Sequence, residues 1–200
     1  MLLSWLVVAA LLSGCVTLGW YAQAARGQFE LLSKREHIES RIAAPDTPSE
    51  ERRKLAWVLE ARRFAHGHLA LPDNGSYSRY VALDRDAVLW NVIATPEFSL
   101  EPKTWCYPWV GCLAYRGWFR LRRAEHEAER LRDKGLDVRV APVAAYSTLG
   151  RFEDPVTSPM LAWNDAALAG LIFHELAHQR LFVPGDTAFN EAYASVVQRA

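Results

Sequence analysis

The stretch the rest of the pattern serves is Leu168–Phe182, reading LAGLIFHELAHQRLF, where Leu168, Leu171, Ile172, Leu176 and Leu181 make a largely apolar helix. Asn164 or Asp165, just after Trp163, is suited to cap its start. Two further helices are predicted upstream. One covers Tyr21–Ser40; the other covers Glu50–Leu69, with Leu55, Val58, Leu59 and Phe64 on its apolar side and its charges on a solvated face. Ala43–Pro48 separates them, because Pro45 and Pro48 disfavour helix. After the turn at Leu71–Ser76 the pattern changes. Val88–Ala94 and Leu113–Phe119 read as short strands, and Leu136–Ala145 alternates as a strand that Pro142 places at a sheet edge. Leu121–Lys134 between them is a charged helix closed by Gly135. The sum is an α+β fold with a helical N-terminal part and a small mixed sheet packed on the Leu168–Phe182 helix. An edge strand there would offer unpaired backbone groups to an extended peptide.

Composition narrows the class. With 200 residues, half of them hydrophobic and 12% aromatic, the chain suits one globular domain rather than a disordered one. Twenty-three basic residues balance 23 acidic ones, which gives no support for nucleic acid as a partner.

Met1–Gly14 is apolar and ends in small residues, as a secretory signal does. Leu12-Ser13-Gly14-Cys15 resembles the bacterial lipoprotein box, which implies cleavage before Cys15, lipidation of that cysteine and a membrane anchor. Val16 after it favours the outer membrane, facing the periplasm. The n-region lacks the usual Lys or Arg. With Cys15 lipidated, Cys106 and Cys112 remain as one even pair, and outside the inner membrane a disulfide is their natural state.

The chemistry lies in His174-Glu175-Leu176-Ala177-His178. Residues four apart on a helix share a face, so both imidazoles can reach one Zn²⁺. Glu175 sits about 100° around the helix, beside the cation, where it can accept a proton as catalytic base. A purely structural histidine pair is the bland alternative, but polar groups on a largely apolar helix need partners. Glu191 is the preferred third ligand, carried back by a helix after the Pro184-Gly185 turn; Asp186 and a ligand beyond Ala200 compete with it. A metzincin is excluded, because Leu181 and Pro184 stand where its glycine and third histidine belong.

Five strings extend this reading: LPDNGSY (71–77), SLEPKTWCYPWVGCLAYRGWF (99–119), AYSTLGRFEDP (145–155), LAGLIFHELAHQ (168–179) and DTAFNE (186–191). On them the chain resembles a bacterial family of predicted aminopeptidases, lipoproteins with a gluzincin-like H-E-x-x-H. The resemblance implies a zincin-like, zinc-dependent peptidase in the cell envelope, acting on peptides, with His174, His178 and Glu191 as metal ligands and Glu175 as base. Tyr146, in the loop before the active helix, is the candidate oxyanion donor. Glu153, Asp154 and Glu97 are candidate anchors for a substrate's free amine. An envelope endopeptidase and a non-catalytic zinc-binding lipoprotein remain open alternatives. Two departures stand out. Ala-Tyr-Ala-Ser-Val after Glu191 lacks the Asp that orients a histidine in thermolysin-like enzymes. Family members are also longer, so residues 15–200 are expected to form one peptidase domain truncated at its C-terminus.

Overall fold

The computed structural model describes residues 2–107, 111–145 and 147–200, with side chains from residue 18 onward. The described chain is α+β. In order, its elements are α1 (Leu2–Ser33), β1 (Glu36–His37), α2 (Ile38–Ala43), α3 (Ser49–Leu69), β2 (Arg79–Val81), β3 (Leu89–Pro96), β4 (Trp105–Tyr107) and β5 (Gly111–Leu113). There follow β6 (Arg116–Trp118), α4 (Leu121–Arg132), β7 (Leu136–Val143), β8 (Val156–Thr157), α5 (Ser158–Leu161), α6 (Asp165–Arg180) and α7 (Thr187–Val197). Among the described residues no helix is long and apolar enough to cross a membrane. The chain divides into two compact units, residues 1–33 with 89–141 and residues 34–88 with 142–200.

The first unit is built on a sheet of order β6-β3-β7, with β7 at an edge as Pro142 predicts. β3 and β6 pair antiparallel, Trp90 opposite Trp118 and Val92 opposite Arg116. Val92, Ala94, Trp105 and Trp118 bury one face against Ala124, Ala128 and Leu131 of α4. The predicted strand Leu113–Phe119 is broken, because Leu113 pairs with Trp105 of β4 whereas Arg116–Trp118 pair with β3. Cys106 and Cys112 face each other across the β4–β5 ladder and are joined by a disulfide. α1 docks through Trp20, whose Nε1 donates to the Gly117 carbonyl at 2.9 Å. The buried Arg116 guanidinium lies over the Trp20 and Trp118 rings, 5.2 and 5.7 Å from their centroids, with Glu127 3.6 Å away. A cation between two ring faces and a carboxylate is compensated for its lost water.

The second unit carries the H-E-x-x-H helix. Leu55, Val58, Ala61 and Ala65 form the stripe that α3 buries, and they share a core with Leu168, Ile172 and Leu176 of α6. Spacings of three and four residues put each set on one helix face. Tyr80 and Val156 enter the same core from a three-stranded sheet, β1-β2-β8. It is mixed: β1 runs antiparallel to β2, and β8 parallel to it. The strands legible in the sequence therefore build the first unit's sheet, while α6 shares its core with strands of two or three residues that no periodicity announces. The helix expected over Tyr21–Ser40 instead stops at Ser33. Glu36 and His37 pair with Tyr80 and Arg79, and Ile38 is wholly buried at the start of α2. Long-range pairing overrides a weak local pattern here.

The start of α6 is pinned to α3. Asn164 caps it, its side chain accepting from Ala167 N at 2.8 Å. Asp165, in the first turn, accepts from Arg53 at 2.7 and 3.1 Å and pairs with Lys54 at 2.8 Å, while Trp57 Nε1 donates to its carbonyl. Hydrogen bonds from Arg53, then Lys54, hold the Asp165 carboxyl well below its usual range. A depressed folded-state pKa contributes stability above the unfolded value of about 3.9, lost as pH falls through the folded one. Asp165→Asn should therefore melt below wild type at pH 7, with the gap closing between pH 4 and the acid limit; melting curves across that range check it.

Candidate metal centre

α6 buries Leu168, Ile172 and Leu176 and leaves His174 and His178 one turn apart on a neighbouring face. Their rings meet edge to face, centroids 4.8 Å apart, with Nε2 to Nε2 at 3.2 Å. A turn at 181–186 then returns the chain. Asp186 caps α7 by accepting from Phe189 N at 3.0 Å, so its carboxylate serves the helix and is not in the cluster. The buried Asn190 clamps the turn to the helix: its Oδ1 accepts from Val183 N at 2.8 Å and its Nδ2 donates to Val183 O at 2.9 Å. One residue on, Glu191 places Oε2 at 3.4 Å from His174 Nε2 and Oε1 at 3.5 Å from His178 Nε2.

These three residues form a group able to hold a metal ion, their ligand atoms lying within 4.8 Å of one another. Two donors bound at about 2.0–2.1 Å in a tetrahedron stand about 3.4 Å apart. The 3.2 Å between the two Nε2 atoms is close to such an edge, and Glu191 approaches each imidazole at a similar distance with a different carboxylate oxygen, Oε2 at 3.4 Å and Oε1 at 3.5 Å. Burial, ahead of every other influence, lowers the His178 pKa, which favours the neutral imidazole that a cation requires. Two neutral imidazoles with Nε2 atoms this close need a proton or a cation between them.

Glu175 points to a different neighbourhood. Burial first, then the Asp154 and Glu191 carboxylates, push its pKa up to about 7, against a hydrogen bond with Ser147. Asp154 is buried and accepts from Thr148 N at 2.9 Å and Thr148 Oγ1 at 2.7 Å. Tyr77, wholly buried with a left-handed φ of 59°, has a hydroxyl without a hydrogen-bond partner among the described residues. Its pKa is raised by burial and then by the charges of Glu175 and Asp154. An aromatic residue held in that conformation beside two acids is backbone strain kept at a site.

Several of the sequence strings converge on this helix. Asn74 Nδ2 donates to Gln179 Oε1 at 2.7 Å, and a side chain at Gly150 would meet Gln179 at 3.2 Å. Glu153 covers Gly75, and Tyr77 N donates to Asp154 O at 2.6 Å. Residues 19–200 match a family described as putative aminopeptidase. The chain belongs to that family. Neither a curated protein nor a solved structure matches the chain. Membership points to peptidase activity, as the strings imply.

Not every candidate joins the cluster. Tyr146 lies outside the described residues, and so does the Cys15 side chain. Glu153 is held by Arg79 at 3.1 Å and Arg35 at 3.9 Å, and Glu97 follows β3 in the other unit. His66 bonds the Leu71 carbonyl at 3.3 Å, His68 stacks on Phe64, and His126 is exposed on α4. Sequence reasoning missed Asn190, Tyr77 and Gln198, which meets His174. Gln198 carried a signal, since it follows Glu191 by two helical turns and so shares its face. Asn190→Ala should strip both Val183 backbone groups of their partner and destabilise the fold by about 1–3 kcal/mol, read by denaturant unfolding.

Proposed function

We propose that the protein is a zincin-like, zinc-dependent metallopeptidase of the bacterial envelope, an aminopeptidase by its family. What supports this is one observation: His174, His178 and Glu191, from two helices, form a group able to hold a metal ion, with a carboxylate of raised pKa next in sequence to the first. Two imidazoles and one carboxylate are a catalytic zinc donor set. His174, His178 and Glu191 would hold the ion. When bound, zinc would lower the pKa of a water and polarise the scissile carbonyl.

The chain's own residues perform the remaining work. Glu175 takes the proton of the attacking water and returns it to the departing amine. Burial keeps bulk water from competing for it. The oxyanion donor in this reading is Tyr146. An envelope endopeptidase is the second reading, favoured by the acids near α6: Glu153 is held by two arginines, and Asp154 is bonded within its own loop. Neither is spare for a substrate amine.

Glu175→Gln should cut peptide hydrolysis at least 100-fold while the protein still carries one zinc per chain by elemental analysis. Undiminished turnover would remove Glu175 as base; zinc without turnover in the wild type would favour the non-catalytic lipoprotein. Free peptides cleaved in preference to N-acetylated ones support the aminopeptidase, and equal cleavage the endopeptidase. The envelope location rests on Cys15. Wild-type cells should yield a lipid-labelled protein in the outer-membrane fraction, and Cys15→Ala should abolish the label.

A further inference from the structure

We infer that Gln198 is the positioning residue for His174, and that Gly170 exists to let it reach there. The inference rests on the metal-site reading above and assigns a histidine-orienting partner where Ala192–Val196 supply no Asp.

His174 presents its two ring nitrogens to different neighbours. Nε2 faces the cluster, 3.2 Å from His178 Nε2 and 3.4 Å from Glu191. Nδ1 lies 3.0 Å from Gln198 Oε1. An amide oxygen only accepts, so Nδ1 carries the hydrogen and the neutral ring keeps its lone pair on Nε2. The ring is thereby fixed in tautomer and in rotation, the two properties a ligand histidine needs from its outer partner. His178 has no such help: its Nδ1 is buried without a partner among the described residues. The two ligands are thus unequally oriented, and Gln198 serves the less buried of them.

The reach depends on helix spacing. Gln198 closes α7, its backbone N donating to Ala194 O at 2.8 Å. Glu191 and Gln198 are two turns apart on α7, as Gly170, His174 and His178 are successive turns of α6. A Cβ at Gly170 would stand 3.1 Å from Gln198 Cγ and 3.2 Å from its carbonyl oxygen. Bare backbone at Gly170 lets the end of α7 lie across α6, one turn ahead of the ring it orients.

The test uses the full chain, with zinc affinity measured by competition against a chromophoric chelator. Gln198→Ala should bind zinc 10- to 100-fold more weakly, Gly170→Ala should fall between it and wild type, and Gln198→Glu, which keeps an acceptor, should restore wild-type affinity or better. In the metal-free protein, imidazole ¹⁵N shifts should show His174 as the Nδ1–H tautomer in wild type and Gln198→Glu, and as a mixture in Gln198→Ala. Melting curves of the metal-free variants separate misfolding from misorientation, since Gln198→Ala should melt with the wild type. Wild-type zinc affinity and an unchanged tautomer in Gln198→Ala would overturn the inference. A wild-type chain that takes up no zinc would overturn it together with the metal-site reading, whereas wild-type binding lost in Glu191→Ala and kept in Gln198→Ala would overturn the positioning role alone.

Discussion

Two imidazole nitrogens 3.2 Å apart, each within 3.5 Å of a Glu191 carboxylate oxygen, crowd electron-rich atoms together, and the second unit is arranged to hold them there. The restraint comes from outside the cluster. α6 is set by its buried stripe on α3 and by the Asn164 and Asp165 contacts at its first turn. α7 is set by the Asp186 cap and by the Asn190 clamp on Val183. Small residues face the contact: Ala177 and Ala194 are fully buried, and Gly170 admits Gln198. Geometry fixed in advance lets binding energy go into the cation rather than into ordering its ligands.

The same packing divides labour between adjacent residues. His174 and His178 turn toward α7. Glu175 turns toward Ser147 and the buried Asp154, a second carboxylate that, after burial, contributes most to raising its pKa. Asp154 can sit there because Thr148 satisfies it with both backbone and side chain. One helix therefore serves two electrostatic environments a third of a turn apart, one inviting a cation and the other a proton.

Much of the candidate cluster was legible because helical spacing converts sequence into geometry directly: His174 with His178, and a turn at Pro184-Gly185 that brings back Glu191. α3, α4 and the two eight-residue strands β3 and β7 were legible for the same reason, since each writes its pattern into enough residues to be seen, whereas the strand read over Leu113–Phe119 is split between β5 and β6. What escaped depends on contacts across the chain. β1, β2 and β8 are too short to show alternation and exist through pairing and the burial of Tyr80 and Val156. Asp154 and Tyr77 become noteworthy only once burial places them beside Glu175. Glu191 was already preferred over Asp186 from the sequence; what the structure adds is that the Asp186 carboxylate is taken up by the start of α7.

The α3 stripe and the α6 stripe that complete the second unit's core belong to residues more than a hundred positions apart, as the 112-residue separation of Arg53 and Asp165 shows. A chain emerging N-terminus first thus carries α3 as an amphipathic helix with its greasy side unmatched until α6 has followed. Contacts closed over such a span are non-local, the kind that slows folding. α6 thus both closes the core that α3 begins and carries the candidate metal cluster, so burying that core also sets His174 and His178 in place.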